Sequence, residues 1–347
     1  MFLSLKRNKS KDLYRESLAL WSRQISETIK KHRWSNVSAL KRPIKNIVIN
    51  GMGGSNLGPE ILISLLKKDL SLPVLIEPGY DVPGFVNKET AYIISSYSGT
   101  TEEPLIAYKK AKARGALIIA LSSLAESDLS KLARRDGVPM FQFPTTSNLS
   151  GQPRLGLGAA LTSCALILCE LKAVKKRVIK ELELAAKKYS KNTKIIETSK
   201  HFARRLKNRE LVLISGPLFI GNLKTLRNQV CESAKNFGQY LTISDMNHFA
   251  LEGLQFPKSN KKRLAALFFD STLDNPKIQK RMELTKEVFR KNKIPVLSYE
   301  ISGKTIIEQG IELLQFSNYL SYYISINNHV DPMRIPSVDW FKKKLSN

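Results

Sequence analysis

Cysteine is scarce, with three residues in a chain of 347, at Cys164, Cys169 and Cys231. Three scattered thiols build no disulfide framework and make no C-x-x-C pair. Histidine is nearly as scarce: His32, His201, His248 and His329 show no metal-ligand spacing. No metal is therefore expected; no other cofactor is expected either, and the compartment expected is a reducing, cytoplasmic one. Long apolar runs are missing too. The most apolar uncharged stretch, Leu155–Cys169, is shorter than the ~18 residues a membrane span needs. It carries Gly, Ser and Thr and reads as a buried helix, so no membrane partner is expected. Met1–Ser10 starts apolar, but charge follows at once and no secretory signal is expected. Acidic residues are the last shortage, 30 against 56 basic ones, for a net charge of +26. The basic residues are dispersed in short clusters, at Lys6–Lys11, Lys175–Lys180, Arg204–Arg209 and Lys258–Arg263. With no basic arm and no recognisable motif, they read as a solvated surface and not as a nucleic-acid site. A positive field also favours a small anionic substrate.

The 42% of hydrophobic residues is enough for buried cores, and the length suits two domains. Helical spacing over 12–32 (Leu13, Leu18, Leu20, Trp21, Ile25, Ile29) predicts an amphipathic helix in an N-terminal extension, 1–42. From Pro43 onward, short apolar runs alternate with helix-length segments. The runs are 46–50, 74–76, 91–95, 116–122 and 140–143, with helices predicted over 59–70, 102–114 and 154–173. A Lys-rich helical stretch leads to about Phe202. The alternation then restarts at Leu211–Gly216, which repeats the strand-then-glycine pattern of Ile47–Gly51. Helices are predicted over 222–237, 277–290, 306–327 and 337–345, and strands over 264–269 and 294–299. Such alternation implies crossover connections. The expected fold is α/β: two doubly wound parallel-sheet domains in tandem, 43–190 and 191–347, with helices on both faces.

Two segments carry chemistry. Gly51-Met52-Gly53-Gly54-Ser55 follows a strand and opens a helix, where glycines let backbone N–H groups approach an anion. Asn56 stands where a dinucleotide fingerprint needs its third glycine, although Glu77 could serve as the ribose acid. In Ser95-Ser96-Tyr97-Ser98-Gly99-Thr100-Thr101-Glu102-Glu103, the side chains of Ser96, Ser98, Thr100 and Thr101 place several hydroxyls on one strand-to-helix turn. Hydroxyl and amide donors suit a phosphate monoester that must enter and leave. A plain capping box, Thr100 with Glu103, is the competing reading. Gly303-Lys304-Thr305 lacks the first glycine of a P-loop, because Ser298 occupies that position.

The G-M-G-G-S and S-x-S-G-x-T-E-E segments resemble the sugar isomerase (SIS) domain. Further motifs resemble the bifunctional phosphoglucose/phosphomannose isomerases, over roughly residues 43–345. They are Pro153-Arg154 before a helix, Cys231-Glu232-Ser233-Ala234-Lys235 for N-E-x-A-K, His248 sixteen residues after Glu232, and Asp331-Pro332 ahead of a last Lys-bearing helix. The resemblance implies aldose–ketose isomerisation of hexose 6-phosphates. Gly54, Ser55, Ser96, Ser98 and Thr101 would hold the phosphate. Glu232 would be the base and Arg154 the cation for a cis-enediolate. His248, with Lys342, would open the ring. It also implies a homodimer, since the histidine can come from the neighbouring subunit, and an active site between the two halves. Cys231 departs from the family's Asn, and Thr225 from a usual Arg. No Thr occurs between Ile326 and Asn347, where the family has a hydroxyl linked to mannose 6-phosphate. A sugar-phosphate sensor built on SIS domains is the alternative. It would need a helix-turn-helix within 1–42, where a single helix is predicted.

Overall fold

A short aliphatic run hides both its faces only inside a sheet flanked by helices, and these runs are used that way. The computed structural model describes residues 12–124 and 126–345. The apolar start at Met1–Ser10 and the basic cluster Lys6–Lys11 lie outside the described residues. The chain divides into two compact units, one of Ala19–Ser190 and one joining 12–18 to 191–345.

The first unit is built on a six-stranded sheet. Its strands are β1 (Arg33–Ser35), β2 (Asn46–Gly51), β3 (Val74–Ile76), β4 (Thr90–Ser95), β5 (Leu117–Ser123) and β6 (Met140–Phe143), in the order β1-β6-β5-β4-β2-β3. Every pair is parallel except β1 with β6. Val48, Tyr92, Ile94, Ile118 and Ala120 form one buried face. They pack against Ala107 and Tyr108 of the helix Glu102–Ala113 and Leu129 of the helix Asp128–Arg135. On β2 and β5, the alternate residues Ile47, Ile49 and Ile119 are equally buried, as a doubly wound sheet requires.

The second unit holds β7 (Glu210–Ser215), β8 (Gly238–Thr242), β9 (Leu264–Asp270) and β10 (Val296–Glu300), all parallel, in the order β10-β9-β7-β8. Phe268 on β9 joins Val212, Ile214, Met246, Leu254 and Met282 on one face. Its neighbour Phe269 points to the other face, where it meets Phe316 of the helix Ile306–Asn327. The helix Ile220–Glu232 lies on that second face. Asn222 Nδ2 donates to Gly310 O (2.9 Å) and Gln229 Nε2 to Asn318 Oδ1 (2.6 Å).

Several sequence expectations need correction. The helix expected over 12–32 is two helices, 12–19 and Trp21–Lys31, broken at Leu20. The break has a packing cause: the halves bury in different units. Tyr14 donates to Ser233 Oγ (2.9 Å) and stacks on Tyr322, whereas Trp21, Gln24 and Ile25 are buried in the first unit. The helix expected from Pro59 starts at Gly54 and ends at Leu65. Its glycines are helix residues that permit close contact. A Cβ on Gly58 would lie 2.7 Å from Ala160 C and nearer still to Leu161 N, in the helix Leu157–Glu170. Gly58→Ala is therefore expected to lower stability by about 1–3 kcal/mol through overpacking, against the ~1 kcal/mol that Ala gains in a helix. Urea unfolding followed by circular dichroism checks this. Among the described residues, no helix is long and apolar enough to cross a membrane.

Candidate active site

In the first sheet the strand order reverses at β2. Its partner on one side is β3 and on the other β4. Open α/β sheets bind ligands at such a switch point, beyond the strands' C-terminal ends. Both chemistry-bearing turns leave from there, because Gly51 and Ser95 are register partners at the ends of β2 and β4. A Cβ on Gly51 would lie 2.6 Å from Ser95 O and from Asn56 Oδ1. Only glycine lets the turns approach this closely. Asn56, 7% exposed, donates from Nδ2 to Gly51 O (2.5 Å) and closes the first turn with its side chain. It fills space that a dinucleotide's pyrophosphate needs, so the third-glycine position counts against that reading.

The turns are bound to each other. Tyr97 N donates to Ser55 Oγ (2.9 Å), and Ser95 Oγ donates to Ser55 O (3.0 Å). Ser96 Oγ donates to Thr101 Oγ1 (3.0 Å) and accepts from Gly99 N (3.1 Å). Ser98 is exposed and accepts from the Thr100 hydroxyl (3.0 Å). The capping box expected as the competing reading does not form. Thr101 is the N-cap residue of Glu102–Ala113, and neither it nor Gly53, the N-cap of Gly54–Leu65, makes a side-chain capping bond. Two helix N-termini thus lie beside the hydroxyls, and backbone N–H groups there favour an anion. Gly99 takes φ +68, and a Cβ on it would collide with Ser127, the residue that caps the helix Asp128–Arg135.

Arg154 joins this cluster. It sits in the 3-10 turn Pro153–Leu155 and is 3% exposed. A Cβ on Gly54 would lie 2.8 Å from Arg154 N and from Pro153 C. The missing side chain at Gly54 is therefore where the Pro153-Arg154 turn docks. Arg154 Nη1 donates to Gln152 Oε1 (2.8 Å). Tyr97 closes the far side. A Cβ on Gly156 would lie 2.6 Å from its ring, and its hydroxyl accepts from Asn148 Nδ2 (2.9 Å). Burial pushes the Tyr97 hydroxyl up, against the pull of the Asn148 bond. The phenol stays neutral, with its own proton left for a ligand oxygen.

Among the proposed site residues, then, Gly54, Ser55, Ser96, Ser98, Thr101 and Arg154 come together at one sheet edge. The candidate residues of the second unit, Glu232, His248 and Lys342, lie on three separate elements. Glu232 is half-buried and is the last residue of its helix, not an interior one as the sequence suggested. Lys235 ends that helix by taking φ 52 and donating from Nζ to Glu232 O (2.7 Å). The same Nζ donates to Asp331 O (2.8 Å), which ties the glutamate's turn to the Asp331-Pro332 segment. His248 ends the 3-10 turn Asp245–His248 and is exposed. Its segment packs through Met246 on the Phe268 face, whereas the helix of Glu232 packs on the Phe269 face. The sheet separates Glu232 and His248 of the same chain. Lys342 lies on the exposed terminal helix Pro336–Leu345.

Sequence reasoning did not single out Tyr97, Asn148, Gln24 or Glu27. A signal existed for the last two, because Gln24 and Glu27 follow Trp21 at helical spacing and share its buried face with Ile25 and Thr28.

Known proteins resemble this chain over most of its length. Residues 195–345 match the family described as bacterial phospho-glucose isomerase C-terminal SIS domain. A bifunctional phosphoglucose/phosphomannose isomerase of Caldicellulosiruptor bescii is 27% identical over 344 residues, covering 95% of this chain and 98% of that one. One from Aquifex aeolicus is 24% identical, covering 90% of this chain and 94% of that one. Among solved structures, the C-terminal domain of glucosamine-fructose-6-phosphate aminotransferase from Francisella tularensis has the same fold. It superposes with a TM-score of 0.67 at 13% identity, covering 91% of this chain and 95% of that one.

Proposed function

We propose that this chain, a homologue of the bifunctional phosphoglucose/phosphomannose isomerases over nearly its whole length, interconverts glucose 6-phosphate and fructose 6-phosphate, and takes mannose 6-phosphate as a further substrate. One observation carries the reading: two uncapped helix N-termini, four hydroxyls and a buried arginine converge where the first sheet's strand order reverses. The cradle suits a dianionic phosphate. Ser55, Ser96, Ser98 and Thr101 supply neutral donors, and helix dipoles add a partial positive charge. Arg154 holds the oxygen that becomes anionic in the enediolate, a task for a group that never loses its charge. Glu232 takes the proton from C2 and returns it to C1. His248, with Lys342, moves the ring-opening proton between the ring oxygen and O1.

The separation of Glu232 and His248 by a sheet supports a site completed by a second copy, with the glutamate from one subunit and the histidine from the other. Exposed apolar side chains fit such a dimer: Phe249, next to His248, is 60% exposed, and Trp340 and Phe341 near Lys342 are 63% and 56% exposed. A cytoplasmic location is the setting proposed, in keeping with three cysteines that are all free.

A coupled assay of purified protein with fructose 6-phosphate and with mannose 6-phosphate tests the substrate assignment. Turnover of neither sugar refutes it. Subunit mixing tests the shared site. Glu232→Gln and His248→Ala proteins are each expected to be inactive, and after subunit exchange about a quarter of the wild-type activity should return, because half the dimers then own one intact site. No recovery in a sample shown to have exchanged subunits means that each chain uses its own histidine.

A further inference from the structure

The loop that carries Arg154 is anchored from outside the sheet. The helix Trp21–Lys31 belongs to a segment that the sequence presents as an extension, yet Gln24, Glu27 and Thr28 on it are buried. Gln24 holds both ends of the loop. Its Nε2 donates to Ser147 O (3.3 Å) and to Leu155 O (2.8 Å), and its Oε1 accepts from Gly158 N (3.1 Å). Three residues on, Glu27 is 6% exposed. Its Oε2 accepts from Ser147 Oγ (2.6 Å) and Thr146 Oγ1 (2.9 Å), and its Oε1 from Arg23 Nε (3.1 Å). From Ser147 the bonding continues inward. Asn148 Nδ2 donates to Tyr97 OH and to Gln152 O (both 2.9 Å), and Gln152 Oε1 receives Arg154 Nη1 (2.8 Å).

A buried carboxylate is costly to keep for packing alone. Here burial raises its proton affinity, but the bonds from Ser147, Thr146 and Arg23 outweigh that and hold the carboxyl below its ordinary range. It is thus ionised near neutrality and makes charge-assisted bonds, the stronger kind. The two hydroxyl bonds end on Thr146 and Ser147, where the loop begins.

We infer that Glu27, with Gln24, is a positioning residue: it fixes the Ser147–Leu155 loop so that the Arg154 guanidinium is aimed at the reacting oxygen. The inference rests on the role proposed for Arg154 above. A shift of the guanidinium by about 1 Å is enough to cost up to 100-fold in rate.

The test is a double-mutant cycle of Glu27→Gln with Arg154→Lys, read by steady-state kinetics with fructose 6-phosphate. Glu27→Gln in the wild-type background is expected to lower kcat about 10- to 100-fold, with KM changed less than about twofold. In the Arg154→Lys background the same change is expected to cost less than about twofold, since the group it positions is already gone. Ser147→Ala is the milder partner variant, should Glu27→Gln fail to fold, and predicts the same pattern. Amide hydrogen exchange of the peptide 147–157 gives a readout free of catalysis, with faster exchange expected in either variant. Additive costs in the cycle, or unchanged exchange in that peptide, overturn the inference. If the wild-type protein isomerises no hexose phosphate, the functional reading falls by itself, and the exchange measurement still decides whether Glu27 orders the loop.

Discussion

Glu232→Gln is expected to lower kcat by about 100- to 10,000-fold, the range that a positioned general base contributes. KM should change little, because the amide keeps the size of the carboxylate and the phosphate is held elsewhere. The substitution removes the one property the reaction needs from this group, the ability to accept a proton from C2 and release it to C1. Solvent exchange supplies the direct check. Wild-type protein incubated with fructose 6-phosphate in deuterated water should label the sugar at the transferred position, and the variant should not. Retained labelling at near wild-type rate would assign the base to another residue. Glu232 is half-buried at a helix end, and Lys235 Nζ donates to the carbonyls of Glu232 and Asp331 in the turn that follows it.

Arg154→Gln is expected to cost about 100- to 1,000-fold in kcat, the scale for losing one donor to a developing oxyanion. Arg154→Lys keeps the charge but loses the planar fork and should recover only part of the rate. The ratio of effects on kcat and KM decides what the arginine does. A loss in kcat alone fits a group that binds the enediolate more tightly than the sugar. A rise in KM with kcat intact would make Arg154 a phosphate ligand instead, a real competitor because its backbone lies against Gly54.

Much of this was legible in the sequence, and the exceptions have physical causes. Runs such as Asn46–Gly51 and Leu211–Ser215 announce themselves because a buried parallel strand is apolar on both faces. Two of the edge strands carry no such signature. β1 is Arg-Trp-Ser and β8 is Gly-Gln-Tyr-Leu-Thr, each with one strand neighbour and mixed burial, so both were read as connections. The hydroxyl-rich turn was recognisable from composition, but the fate of its capping box was not. Whether Thr101 caps its helix or accepts from Ser96 depends on where β4 ends, which only the fold decides. Glu232 was assigned to a helix interior because no glycine or proline interrupts residues 222–237; the helix stops instead on a lysine in left-handed backbone. Gln24 and Glu27 went unnoticed because polar residues on an amphipathic helix are ordinarily assigned to water.

Gly54 and Gly156 share a property beyond conformational freedom. At each, atoms of another segment occupy the volume of an absent side chain: the Pro153-Arg154 turn at Gly54 and the Tyr97 ring at Gly156. On the roles proposed above, the cradle for the anionic tail and the Arg154 turn are thereby joined into a single block with a fixed gauge. Such a block measures carbon chains. A phosphorylated pentose would seat its tail normally and fall one carbon short at the other end, so it should occupy the cradle as a competitor without being turned over.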